Sequence, residues 1–396
     1  MFQRSAKQLP SKIIADPYEH FPNKLMKRFA YFTADGKLSG PSYHQAYIFR
    51  GVIENHGVSF DYFPLLPDSI WHHWKNALKK RGIGGALLRK LIRGLIIPLW
   101  RMMQIFWASL RNYDGYIVGR CLSQPHSFPW LEVILAKIGR LQKKPLVLYL
   151  ADAMHIPFPA QYDMRFACFS HIAAVTPWLV DQMKLRGLRC FLTRVAIDVR
   201  RYPMIEHSAR ERLVIGFSSG PDNFRELIDL EDALIEILRR YPHCRLQIVS
   251  GVPPHFKSEA LRYEFKPWLH DNPFGRFDLG VEEMLEFDIA LAPLSRNDYA
   301  LGKDSAKLRQ YMALGLPVAA TDFGVNAEMI EDGVSGYLAT DIPQWVSALS
   351  KLIEDADLRT KMGRAARARV EAVFDVRPQA GLLARDLIMC AQETGN

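Results

Sequence analysis

Short apolar runs of strand length recur along this chain, and between most of them lies a stretch of helical period. RFAYFT, VSFDYFPL, YDGYIVGRCL, PLVLYLAD and HIAAVT make one series, and LVIGFSSG, CRLQIVSG, FDIALAPL, VAAT and YLA make a second. Alternation of short buried strands with helices predicts α/β architecture with parallel sheets, because each crossover helix covers the face of the sheet it returns to. Ala46, Phe49, Val52 and Ile53 fall at helical spacing, and Gly57 is placed to end that helix. RELIDLEDALIEILRRYP is strongly amphipathic, with Leu227, Leu230, Ala233, Leu234, Ile237 and Leu238 on one face.

With 396 residues the chain exceeds what one compact core holds. The polar, arginine-rich piece 199–212, which contains Pro203, separates the two series and reads as a linker. The expected organisation is an N-terminal Rossmann-like domain over 1–198 and a C-terminal one over 213–375. A last helix over 376–396 packs back on the first domain, and a cleft lies between the two. Met1 to Lys27 has no clear period and reads as an irregular leader.

Charged residues make up 23% and apolar ones 49%, a globular composition. The net charge of +9 admits nucleic acid, an anionic membrane surface or a phosphorylated substrate as partner. No reader motif for nucleic acid accompanies the basic residues. The five cysteines are scattered and form no CxxC, which points to a reducing, cytoplasmic location. No secretory leader and no apolar run long enough for a membrane span is present.

In GKDSAKLRQYMALGLPVAATDFGVNAEMIEDG a helix starts near Asp304 or Ser305, with Lys303 and Lys307 on either side of the start. Lysines are disfavoured at that positive end unless an anion is bound there. Gly315 is placed for a left-handed helix end, and Asn326 is expected to cap the next helix. No set of Asp, Glu and His has metal-ligand spacing.

This segment resembles the donor site of the GT-B glycosyltransferases of family 4, the glycosyl transferases group 1. LRQYMALGLPVAATDFGVNAEMIEDGVSGYLA carries the resemblance, with EMLEFDIALAPL before it, LSKLIEDADLRTKMGRAARARVEAVFD after it and VAIDVRRYP, with Asp198, at the domain junction. The resemblance spans roughly Val195 to Asp375. It implies sugar transfer from a UDP- or GDP-sugar to a glycan or lipid-linked acceptor, with retention, with no metal or other cofactor, and in polysaccharide or cell-envelope synthesis. Lys303 and Lys307 would take the diphosphate, Lys307 acting as electrophile, and Gln310 the ribose. Ser218, Ser219, Gly324, Val325, Asn326 and Glu328 would lie beside the nucleotide, and Gly40, in SGPSYHQ, would face the phosphates across the cleft. Asp152 and His155, after a strand's carboxyl end in LADAMHIPFP, would stand near the reacting sugar. Arg296 is a further candidate.

The chain departs from the family where two glutamates eight positions apart are common, for Gly302 and Gln310 stand there. That departure keeps two other readings open, a non-catalytic relative that binds nucleotide or glycan or scaffolds a partner, and a sugar-nucleotide epimerase of the same fold.

The segment 79–112 is basic and apolar. Leu87, Leu88, Leu91, Ile92, Leu95, Ile96 and Leu99 make one side, Arg89, Lys90 and Arg93 another, and Trp100 and Trp107 flank Met102 and Met103. It reads either as a helix in an anionic membrane interface, peripheral at the inner membrane face, or as a core helix with a cationic outer side. Pro98 is expected to bend or break it.

Overall fold

The computed structural model describes residues 26–34, 36, 40–65, 88, 90–122, 127–206, 211–268 and 281–395. Most of the irregular leader, Ser39, residues 79–87 and Arg89 lie outside them. Among the described residues the chain builds two six-stranded sheets, and every strand pair in both is parallel.

The first sheet comprises β1 (Lys27–Thr33), β2 (Val58–Pro64), β3 (Gly115–Gly119), β4 (Leu146–Leu150), β5 (His171–Ala174) and β6 (Cys190–Leu192), in the order β2-β1-β3-β4-β5-β6. The second comprises β7 (Leu213–Ser218), β8 (Cys244–Ser250), β9 (Glu264–Pro267), β10 (Ile289–Ala292), β11 (Val318–Thr321) and β12 (Tyr337–Ala339), in the order β12-β11-β10-β7-β8-β9. Every residue of β3, β4, β5 and β7 is buried, which is why these strands read as unbroken apolar runs rather than alternating ones. The edge strands β6 and β9 are only three and four residues long and partly exposed, so the sequence did not announce them.

Helices depart from the expected pattern in three places. The helix expected through Ala46 and Ile53 is instead a short helix, Gly40–Gln45, followed by two single 3-10 turns, Tyr47–Phe49 and Ile53–His56. Tyr31 and Tyr62 donate hydroxyl hydrogen bonds to the carbonyls of Gln45 and Ala46, which draws those carbonyls away from a continuing helix. The amphipathic stretch after β7 divides into Phe224–Ile228 and Glu231–Arg240. Pro98 does not break its helix: a wide π-turn, Ile92–Ile96, leads directly into Ile97–Ser109, so the proline sits in the first turn of the α-helix that follows.

Arg165 and Glu132 form a fully buried pair, Nε to Oε1 at 2.8 Å, between two helices of the first core. The same carboxylate oxygen accepts the Leu122 amide, so the charge is held by more than one donor.

The last helix, Val376–Gly395, places Val376, Ala380, Leu383, Ala384 and Leu387 in the core of the first sheet. The chain crosses between the sheets near Ile197 and again near Asp375, and the two crossings are bonded to each other. Ile197 donates its amide to Phe374, Val376 donates to Ile197, and the buried Asp375 carboxylate accepts the Val199 amide. No helix among the described residues is long and apolar enough to cross a membrane.

Candidate active site

A cavity of about 260 Å³ opens at the carboxyl ends of β7 and β10. Loops leaving the carboxyl ends of parallel strands are where such sheets place ligands. Phe217–Ser219 and Leu291–Leu294 form the floor, and Lys303–Leu308 forms one wall. Asp152, which follows β4 in the other sheet, reaches it from across the cleft.

Tyr311 fixes the floor. Its hydroxyl accepts the Ser218 amide at 2.7 Å and donates to the Ser218 carbonyl at 3.2 Å, and burial raises its phenol well above the ordinary range. The Ser218 hydroxyl, fully buried in the lining, has no partner.

The helix Ala306–Ala313 begins in the wall, close to where the sequence placed its start. Ser305, the residue before it, lies at φ 49°, a left-handed conformation that costs an L-residue about 1 kcal/mol or more. Its hydroxyl does not cap the helix but donates to Asn326 Oδ1 at 2.8 Å. The first turn therefore offers amides without a side-chain cap to the cavity, an anion-binding arrangement. Asn326 does not cap the following helix, although the sequence placed it there. Phe323 holds that position, and Asn326 lies inside Gly324–Met329, donating Nδ2 to the Ala292 carbonyl at 2.9 Å. It braces the end of β10 against the start of the lysine-bearing helix. At the other end Gly315 is left-handed, φ 72°, as the sequence indicated.

The charges in the wall are already partnered. Lys303 Nζ donates to Glu226 Oε1 and to Asn223 Oδ1, each at 2.9 Å, and Asn223 in turn donates to the Ser219 hydroxyl at 2.7 Å. Asp304 is held by the buried Arg309, Nη2 to Oδ2 at 3.1 Å. Lys307 Nζ stands 5.6 Å from the Trp268 ring centroid. Asp152 pairs with Arg120, Oδ2 to Nη2 at 2.6 Å. Burial is the larger influence on that carboxyl and raises its pKa, with Asp304 adding to the rise and Arg120 and Lys303 opposing it. Arg120 itself lies at φ 66°, so the chain accepts strain at the end of β3 to aim this guanidinium.

Gly302 explains itself by position. A Cβ there would lie 2.5 Å from Ala153 Cβ and 2.8 Å from Ala153 N, so any side chain would strike the loop that carries Asp152. Beside it the Thr176 hydroxyl donates to the Leu301 carbonyl at 3.2 Å, a further contact between the two domains.

Of the residues singled out from sequence, Asp152, Ser218, Ser219, Lys303, Lys307 and Asn326 line the cavity together. Gly40, His155, Gln310, Gly324, Val325 and Glu328 do not. Gln310 is buried and donates to the Tyr202 hydroxyl at 3.3 Å. Glu328 is paired with Arg194 of the other domain. His155 is buried with its ring stacked on Trp178 at 6.0 Å. Its Nδ1 has no partner, and burial lowers its pKa. Gly40 opens the helix Gly40–Gln45, Val325 is buried, and Gly324 turns the chain at φ 55°. Arg296 donates to the Asp322 carbonyl at 3.3 Å on the surface.

Sequence reading missed Arg120, Asn223, Glu226, Asp304 and Tyr311. Arg120 and Asn223 stand just past the carboxyl ends of β3 and β7, a position that could have flagged them. Among the described residues no group of three or more His, Cys, Asp or Glu is gathered as for a metal ion.

Residues 212–355 match the family model described as Glycosyl transferases group 1. No curated protein sequence matches the chain. Solved structures match along nearly its whole length. Anabaena HepE in complex with UDP is 16% identical with a TM-score of 0.59, over 91% of this chain and 100% of that one. A glycosyltransferase from Rickettsia africae is 12% identical with a TM-score of 0.59, over 93% and 98%. Sucrose-phosphate synthase from Thermosynechococcus elongatus is 11% identical with a TM-score of 0.55, over 92% and 99%. With two parallel sheets facing a cleft, the chain has the GT-B fold, and its second domain carries the match to the glycosyl transferases group 1 model.

Proposed function

We propose that this chain transfers a glycosyl group from a nucleoside diphosphate sugar to a hydroxyl of a glycan or lipid-linked acceptor. The observation that carries the reading is the cavity wall, where a helix start without a side-chain cap, Lys303 and Lys307 converge opposite the Asp152 carboxylate of the other domain. Breaking the anomeric bond builds negative charge on the departing diphosphate, and preset amides and ammonium groups stabilise it without reorganisation. The diphosphate enters on the side of Lys303 away from Glu226. Asp152, in the same cavity, faces the side where positive charge gathers on the sugar ring. The chemistry needs no metal in this scheme, since the lysines and the helix start supply the electrophile. It proceeds with retention, as in the family the chain resembles, and serves polysaccharide or cell-envelope glycan synthesis on the cytoplasmic side, peripheral at the inner membrane face. HepE is found in complex with UDP, with UDP and glucose, and with UDP-glucose, which favours a uridine donor here.

The Glu226–Lys303 pair favours one other reading, a nucleotide-binding relative without turnover, because it neutralises half of the cationic charge in the wall. Thermal unfolding with a panel of nucleoside diphosphates and a chelator tests the site. Ligand at a hundred times its Kd adds about 2.7 kcal/mol to stability. A shift with UDP, followed by release of UDP from a UDP-sugar only when acceptor is added, establishes transfer. A shift without release leaves the binding reading. No shift with any diphosphate refutes the phosphate site.

A further inference from the structure

The helix through Ile97–Ser109 is built inside out. Its buried side carries Arg101 and Gln104, beside Ile97, Ile105 and Ala108. Arg101 is fully buried and spends its donors on main-chain carbonyls. Nε bonds to Leu122 at 3.1 Å, Nη1 to Phe63 at 2.7 Å and Nη2 to Thr33 at 2.7 Å. Gln104 accepts from Arg101 and donates to Pro64 at 2.9 Å. The opposite side is apolar and uncovered: Leu99 is 50% exposed, Met103 53%, Phe106 62%, Trp107 46% and Leu110 70%. Eleven of the twenty-four exposed large apolar side chains among the described residues fall between Leu88 and Leu110, so this is one concentrated face and not scattered surface.

A water-facing helix has the reverse polarity. The five donors of Arg101 lock the orientation, because turning the helix over would bury the apolar face only by stranding a guanidinium's worth of carbonyls. The outward face therefore meets something other than water. Charge identifies what. Residues 79–113 contain eight Lys or Arg and no Asp or Glu. Lys90 is exposed, and Arg111 lies over the outward Trp107 ring, 3.2 Å from its centroid. Apolar and aromatic side chains edged by basic ones, with no acid in the run, suit the headgroup layer of an anionic bilayer.

We infer that this face docks on an anionic lipid bilayer. The helix is tied by Arg101 to Thr33, Phe63 and Leu122, which close β1, stand one residue before the end of β2 and follow β3 at the carboxyl edge of the first sheet, and Asp152 follows β4 at that same edge. Docking there turns the mouth of the cleft toward the membrane, and the acceptor is borne by a lipid. This rests on the transfer reading for the acceptor, but not for the docking itself.

Flotation of the full chain with vesicles of zwitterionic lipid alone, and with added anionic phosphatidylglycerol, tests it at low and high salt. Binding to the anionic vesicles, weakened by salt, is expected, with a blue shift of Trp100 and Trp107 emission. The double variant Phe106→Ser/Leu110→Ser, both on exposed positions, is expected to lower the partition coefficient about a hundredfold, about tenfold for each side chain withdrawn from lipid. Its thermal response to UDP stays as in the parent chain, so a failed donor site and a failed membrane face are told apart. No flotation at low salt overturns the proposal. So does a concentration-dependent dimer that the same double variant dissociates, which assigns the face to a second copy of the chain.

Discussion

Glu226→Gln should make nucleoside diphosphate bind more tightly, although it removes an ion pair. Glu226 is about nine-tenths buried, and its carboxylate holds Lys303 Nζ at 2.9 Å in the cavity wall. A phosphate on the far side of that ammonium would lie about 6 Å from the carboxylate. Two unit charges at about 6 Å repel by about 3 kcal/mol at an effective dielectric constant of about 20. Against this stands the loss of the contact that orders Lys303, about 1 kcal/mol, with Asn223 still accepting from the same nitrogen. The balance favours tighter binding by about 1–2 kcal/mol, roughly five- to thirtyfold in Kd. Calorimetric titration of UDP into both proteins at two ionic strengths measures it, and the gain should shrink with salt. Weaker binding by the variant would mean that Lys303 serves Glu226 and not a diphosphate, and the charge assignment of the wall would fall.

Three further outcomes bear on the same site. Lys307→Ala should weaken UDP by about tenfold or more while leaving uridine nearly unchanged, read by parallel titrations; equal losses would remove its phosphate role. Gly302→Ala forces Ala153 to move, since the new methyl would sit 2.5 Å from its Cβ, and should cost about 1–3 kcal/mol of stability and lower turnover, read by thermal unfolding and initial rates. His155 has its pKa lowered by burial, so the unfolded chain binds the extra proton first. Its contribution to stability is complete above the unfolded value of about 6.5 and is lost as pH falls through that value toward the lower folded one. Denaturant midpoints of the parent and of His155→Gln across that window should converge in slope only if another group dominates.

The fold was legible because doubly buried strands leave apolar runs that no other environment requires. Val147, Leu148, Ile172 and Ile215 announce their strands, whereas Cys190 and Glu264 at the sheet edges do not. The lysine-bearing wall was legible for a similar local reason: its charge, its helix start and its glycine lie within a few residues. What escaped was decided by partners far along the chain. Gln310 is turned away by Tyr202, Glu328 by Arg194, and His155 by Trp178, none of which spacing could reveal. Asn326 was given the cap position by composition, and the structure uses its two-sided amide as a brace instead. For 79–112 the period was readable but the sense of the face was not, because only the fold shows Arg101 pointing in.

The paired crossings at Ile197 and Asp375 also set an order of events in synthesis. The first sheet leaves the ribosome early, yet Val376, Ala380, Leu383, Ala384 and Leu387 of its core arrive only with the final helix. The second domain lies wholly between and can close while the first still waits with an open flank. A nascent chain of this protein thus finishes its beginning last, and any truncation after Asp375 leaves the second domain whole and the first unsealed.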